Sequence, residues 1–221
     1  MTLGLYQHRY EHKGGLKEAL YVVGDNHDFE SIAQTAFMQI VGLRPDHKFL
    51  DFGCGCLRGT AKLVDYLEQG NFFGADVSEG LLNQSYQRLE EMGIKKTPCL
   101  KVLDDYNLEA LFHEKFDFIL SVSVLTHILP HDLPSLFYGI SKVLNPEGIW
   151  YFTIYPTEES YSGNVEIMRY NKQYLKDVAE KNGLYIEDIE GDFPNPSPGI
   201  KFINRVNTPL IGQWVMRATP L

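Results

Sequence analysis

The stretch Phe49-Leu50-Asp51-Phe52-Gly53-Cys54-Gly55-Cys56-Leu57-Arg58-Gly59 constrains the fold more than any other part of the chain. It reads as a short apolar strand, an acidic residue, a glycine-rich turn and the start of a helix. Glycines in such a turn let the backbone approach a ligand closely, because a Cβ would collide or force a forbidden φ. Gly53, Gly55 and Gly59 follow the spacing G-x-G-x-x-x-G, with Asp51 two residues before the first. The dinucleotide fingerprint requires G-x-G-x-x-G, and its third glycine position is Arg58 in this chain. The Asp-x-Gly-x-Gly form suits a ligand that presents a cation or an amino group, which a diphosphate lacks.

From about residue 48 onward, strand and helix patterns alternate, the signature of a parallel sheet covered by helices on both faces. Strands are expected over 48–52, 71–76, 99–103, 116–121, 148–155, 184–189 and 212–218. Helices are expected over 60–68, 80–92, 107–112, 134–143 and 171–182. Ser78 caps the second of these, with Glu79 in its first turn. Gly183 ends the last. The proline-rich segment 193–199 cannot pair in a sheet. The last two strands, joined by a long loop without a helix, are therefore expected to be antiparallel neighbours. The fold class is α/β: a Rossmann-like, doubly wound, seven-stranded, mostly parallel sheet whose last strand is antiparallel, with an N-terminal helical cap. Residues 1–45 form the cap or lid segment, including a helix over 29–41 that ends before Pro45. Residues 46–221 are expected to form the main domain.

The length of 221 residues fits one globular domain with its own core. A net charge of −9 argues against nucleic acid as the partner, since phosphates must be neutralised by a basic surface. No segment reaches the roughly 20 apolar residues of a membrane span, and the start has no signal-peptide run. Three cysteines, an odd number, argue against a disulfide framework and for a reducing cytoplasm. Cys54 and Cys56, with only Cys99 elsewhere, do not make a tetrahedral ligand set, so no metal is expected.

Four segments, taken in order and spacing, resemble the class I S-adenosylmethionine-dependent methyltransferases of the small-molecule type. They are LDFGCGCLRG, FFGADVSEGLL, FDFILSVSVLTHI and LNPEGIWYFT. The run YLKDVAEKNGLYIEDI is similar to the family's approach to its sixth strand. Glu147 stands where the family usually has glycine, and Leu57-Arg58 gives the first loop an unusual character. The resemblance covers about residues 48–218 and implies S-adenosylmethionine as cofactor and S-adenosylhomocysteine as product. It implies that Gly53 and Gly55 pass the backbone beneath the cofactor and that Asp51 accepts from the methionine amino group. Asp76, followed by Val77, takes the ribose hydroxyls, a role its spacing from the loop also supports. Asp104, or the adjacent Asp105, receives the adenine amino group, and Ser121 faces the sulfonium.

The acceptor side is less defined. His127 follows the fourth strand and reads either as a general base of near-neutral pKa or as a structural histidine. His131 is a weaker candidate. Arg58 reads either as a carboxylate ligand or as a solvated helix-start residue. Tyr6 and Tyr10, with His8 and Arg9, read as a lid over the ligand mouth or as a tail. Tyr155 ends the fifth strand, where substrates meet such sheets. The fourth strand ends at Ser121, where metal-dependent relatives carry a carboxylate, and the Asn/Asp-Pro-Pro-Tyr pattern of nucleobase amino methylation is absent. A small-molecule acceptor is expected. A nicotinamide-dependent oxidoreductase and a non-catalytic binding module are the competing classes. The oligomeric state has no sequence signature here.

Overall fold

The computed structural model describes residues 7, 11, 16, 27–164, 166–189 and 213–221. Tyr6, His8, Arg9, Tyr10 and the proline segment 193–199 lie outside the described residues. Two halves are distinguished, residues up to 104 and residues from 105 onward.

In the first half, helix α1 (His27–Ile40) precedes strand β1 (Phe49–Phe52), helix α2 (Ala61–Tyr66), strand β2 (Phe72–Asp76), helix α3 (Glu79–Glu91) and strand β3 (Cys99–Val102). β1 and β2 are buried at every position, as expected for strands covered on both faces. β2 pairs in parallel with β1 on one side and with β3 on the other. The register puts Asp51 opposite Gly74 and Asp76 opposite Val102. Ser78 caps α3 by accepting from the Leu81 amide at 3.2 Å, the cap expected from the sequence.

In the second half come helix α4 (Leu108–Phe112), strand β4 (Phe116–Ser121), helix α5 (Leu133–Val143) and strand β5 (Leu144–Pro156). A short hairpin follows, β6 (Tyr161–Gly163) and β7 (Met168–Tyr170), then helix α6 (Lys172–Glu180), strand β8 (Leu184–Asp188) and strand β9 (Trp214–Pro220). β4 and β5 are parallel, and β9 runs antiparallel to both β5 and β8. The core is aromatic: Trp150, fully buried, packs at 4.4 Å against Phe152 with the rings tilted by 32°, and meets the edge of Phe137 at 5.7 Å. Asn171 caps α6 through the Gln173 and Tyr174 amides.

β1, β2 and β3 together with β4, β5, β8 and β9 are the seven strands expected. Two details differ from the sequence reading. Strand β5 begins at Leu144 rather than 148, because Phe116 pairs with Leu144 before the register shifts to Phe118 and Ile149. Gly148 is the position in that strand that requires glycine, since a Cβ there would lie 2.7 Å from the Phe116 carbonyl oxygen. Glu147 beside it is exposed, so its departure from the usual glycine costs nothing locally. Between the strands expected at 148–155 and 184–189, the chain also forms the β6–β7 hairpin, for which no strand was expected, and it pairs back on β5 through Tyr155–Arg169 and Pro156–Tyr170.

Candidate functional site

The glycine loop of the first half is built by its backbone. Gly53, Leu57 and Gly55 have φ of 82°, 58° and 53°, so three alternate residues occupy the left-handed region. Glycine accepts this freely, and Leu57 does not. Leu57 is held there by its amide, which donates to the Cys54 carbonyl at 2.9 Å, and by Arg88. Arg88 reaches from α3, is 3 % exposed, and donates from Nε to the Leu57 carbonyl at 3.2 Å and from a terminal nitrogen to the Arg58 carbonyl at 3.3 Å.

Two carboxylates end the two strands that flank this loop. Asp76, at the end of β2, accepts from the Gly55 amide at 2.8 Å and from the Ser78 amide at 2.9 Å, one on each oxygen. It therefore ties the loop to the start of α3. Each oxygen keeps a further lone pair. Burial raises its pKa above the usual carboxylate value, partly offset by these amides. Asp51, in β1, is 6 % exposed and accepts from the Thr60 hydroxyl at 2.5 Å. Burial, with a further contribution from the negative charge of Asp76, pushes its pKa up to about 7; the Thr60 hydroxyl and the nearby Arg58 act the other way. A buried carboxylic acid poised near neutrality favours a cationic partner.

Arg58 is half-buried and close enough to Asp51 to favour its charged form. Val77 is half-buried at the strand end. Asp104 is exposed and accepts from the Gln7 side-chain amide at 3.3 Å, which brings Gln7 to the end of β3. The neighbouring Asp105 accepts from the Asn107 amide at 2.7 Å and so serves the turn into α4. Of the expected residues of this half, Asp51, Gly53, Gly55, Arg58 and Asp76 converge on one loop.

The second half carries Ser121, His127 and Tyr155. The Ser121 side chain is fully buried and accepts from the Trp150 indole at 3.0 Å, so its hydroxyl is committed to the core. His127 is half-buried on the loop after β4, and its amide donates to the Val124 carbonyl at 2.9 Å. That loop is clamped on both sides of the histidine. The Met168 amide donates to the Thr126 carbonyl at 2.7 Å, and the Tyr170 hydroxyl to the Ile128 carbonyl at 2.5 Å. Upstream, the Ser123 amide, at a left-handed φ of 60°, donates to the Thr153 hydroxyl at 2.8 Å. Tyr155 is half-buried and carries the Arg169 guanidinium over its ring at 5.3 Å.

Thr60 and Arg88 do not appear in the sequence reading. Thr60 had a signal, a hydroxyl directly after the third glycine of the motif. Arg88 had none, because a helical arginine looks solvated until the fold buries it. Among the described residues no group of three or more His, Cys, Asp or Glu side chains could hold a metal ion. All three cysteines are free, and burial holds Cys54 well above the usual thiol pKa and Cys56 up to about 11.

Comparison with known proteins places this geometry. Residues 50–150 match the profile of a methyltransferase domain. Among solved structures, an S-adenosylmethionine-dependent methyltransferase from Clostridium acetobutylicum superposes with a TM-score of 0.64 at 14% identity, over 100% of this chain and 99% of that one. Magnesium protoporphyrin IX methyltransferase from Synechocystis, solved with bound S-adenosylhomocysteine, gives 0.62 at 15% identity, over 99% and 94%. A TehB-like S-adenosylmethionine-dependent methyltransferase from Corynebacterium glutamicum gives 0.62 at 17% identity, over 99% and 98%. At these identities the structures share the fold: a Rossmann-like, mostly parallel seven-stranded sheet with an antiparallel last strand. The domain profile spans the glycine loop and both strand-end carboxylates, so residues 50–150 are similar to a methyltransferase domain, and the whole chain shares its fold with S-adenosylmethionine-dependent methyltransferases.

Proposed function

We propose that this protein transfers a methyl group from S-adenosylmethionine to an oxygen or nitrogen nucleophile of a small molecule, leaving S-adenosylhomocysteine. The observation that carries the reading is Asp76, a buried carboxylate bonded to the Gly55 amide of the loop with lone pairs left for a diol. In this reading Gly53 and Gly55 let the backbone lie against the cofactor, Asp51 takes the amino group of its amino-acid end, Asp76 and Val77 hold the ribose, and Asp104 meets the adenine amino group. When bound, the cofactor supplies a methyl carbon activated by its sulfonium, and the transfer is an in-line displacement. The protein's part is alignment and exclusion of water, and alignment alone contributes several kcal/mol.

Ser121 contributes through its backbone at the end of β4, since its hydroxyl is bonded to Trp150. His127 is the proton acceptor when the nucleophile is protonated, and its doubly clamped loop suits a fixed base. In the same reading Arg58 takes a carboxylate, Tyr155 meets the acceptor at the end of β5, and residues 1–45, with Tyr6 and Tyr10 as a lid, form a cap segment ahead of a catalytic domain of residues 46–221. The acidic charge supports a small molecule over nucleic acid. No helix among the described residues is long and apolar enough to cross a membrane, and the free cysteines suit a reducing compartment such as the cytoplasm.

The test is calorimetric titration with S-adenosylhomocysteine, with NAD as control, followed by transfer of labelled methyl to a panel of small hydroxyl, amine and carboxylate compounds. Micromolar binding of S-adenosylhomocysteine alone is expected. Binding of NAD alone would point to an oxidoreductase. Tight cofactor binding with no transfer to any acceptor class would point to a non-catalytic relative.

A further inference from the structure

Helix α1 presents a polar face to the glycine loop. Ser31, fully buried, accepts from the Lys62 amide at 3.1 Å and so caps α2 from outside. Gln34, one turn further on, is 3 % exposed, and its carboxamide lies against Gly59. A Cβ built on Gly59 would sit 2.1 Å from Gln34 Nε2 and 2.4 Å from Oε1, so the amide occupies the space a side chain there would need. An amphipathic helix normally turns apolar residues inward. This one does so with Ala33, Phe37 and Met38, yet it also buries Gln34 and Glu30. Glu30 has an interaction partner of its own. Gln34 makes no hydrogen bond among the described residues. The fully enclosed side-chain polar atoms without a partner among the described residues belong to Thr35, Gln84, Tyr106 and Asp132, so the Gln34 carboxamide keeps an accessible edge that a ligand can meet.

The position of Gln34 along the loop indicates which part of a ligand it meets. Asp76 holds the Gly55 end. Gly59 is at the other end, next to Thr60, whose hydroxyl is bonded to Asp51. With Asp51 set for an ammonium group, the amino-acid end of the cofactor also brings a carboxylate, which requires donors. Gln34 supplies two N–H donors beside Arg58, and amide orientation is free to follow the ligand. Resting on the assignment of this loop to S-adenosylmethionine, we propose that Gln34 is a cofactor-recognition residue that donates to the carboxylate of the amino-acid end. Its role fixes Gly59 as glycine, and it makes α1 part of the cofactor pocket.

Three ligands separate this role from a structural one: S-adenosylhomocysteine, its decarboxylated thioether analogue, and 5′-methylthioadenosine, which lacks the whole amino-acid end. Gln34→Met, close in size and unbranched, is expected to weaken S-adenosylhomocysteine about ten- to hundredfold by calorimetry. The other two should bind it as they bind the wild type. Gln34→Glu, which sets a carboxylate against the ligand's own, should weaken S-adenosylhomocysteine at least as much and leave methylthioadenosine unchanged. Equal losses for all three ligands in both variants would overturn the proposal and make Gln34 a spacer over Gly59. Unchanged affinity for S-adenosylhomocysteine would overturn it as well. Wild-type protein that binds none of the three removes the cofactor assignment beneath it, a result distinct from either.

Discussion

At the scale of single residues, the two strand-end carboxylates differ in what a substitution tests. Asp51 has a folded pKa of about 7 against an ordinary value of 3.8. Between those values the folded protein holds a proton that the unfolded chain does not. The contribution to stability is therefore fully present below about pH 4 and is lost as pH rises through 7. Its size is on the order of 4 kcal/mol at 1.36 kcal/mol per decade. Asp51→Asn should flatten this part of the pH–stability curve of the ligand-free protein, measured by urea denaturation between pH 4 and 8. An ammonium group bound beside Asp51 favours the charged form, so binding near pH 7 should release about half a proton. Titration of S-adenosylhomocysteine in two buffers of different ionisation enthalpy reads that release, and its persistence in Asp51→Asn would assign the proton elsewhere. Asp76 is tested differently. Asp76→Ala deprives the Gly55 and Ser78 amides of their acceptor, so it should cost about 2–4 kcal/mol of stability. It should also reduce cofactor affinity by at least tenfold, for which 1.4 kcal/mol suffices. Stability loss with unchanged affinity would leave Asp76 as a loop brace alone.

At the scale of elements, packing decides outcomes that propensity gets wrong. Gly139 lies in α5, where alanine is normally better by about 1 kcal/mol. A Cβ there would lie 2.1 Å from the Tyr106 carbonyl oxygen, a backbone atom that cannot swing away. Gly139→Ala should therefore destabilise by about 1–3 kcal/mol in chemical denaturation. A gain in stability would mean that α5 has room against residue 106. This contact illustrates what the sequence leaves out. The alternation of elements was legible, because the apolar runs of β1, β2 and β4 and the cap Ser78 are local signals. The loop, Asp51 and Asp76 were legible because their spacing is set by one strand-turn-helix unit. The β6–β7 hairpin was not, since Tyr161 and Ile167 are exposed and its strands are three residues each. Arg88 and Gln34 were not, since both look like solvent-facing helical residues until tertiary packing buries them beside the glycine loop. Tyr6 and Tyr10 lie outside the described residues and stay proposals.

At the scale of the whole molecule, the net charge of −9 and the cofactor loop make opposite demands on a ligand. A polyanion is repelled at long range, and that repulsion is screened beyond about 10 Å at 0.1 M salt. S-adenosylhomocysteine carries one ammonium and one carboxylate, so it has no net charge to be repelled, and in the proposed reading its ammonium meets a buried acid at Asp51. Binding should then depend weakly on ionic strength, whereas adventitious nucleic-acid binding would fall steeply with salt. The same ligand should raise thermal stability by mass action. At about 100 times its dissociation constant it contributes roughly 2.7 kcal/mol. For a chain of this length each kcal/mol moves the midpoint by about 2–4 °C, so a rise of roughly 5–10 °C is expected. NAD at the same concentration should leave the midpoint in place, because Arg58 stands where close approach to a pyrophosphate needs the third glycine. Melting curves with each ligand at 50 and 300 mM salt measure both quantities together. A shift with S-adenosylhomocysteine that disappears at 300 mM would mean that surface charge, and not the buried carboxylates of the loop, holds the ligand.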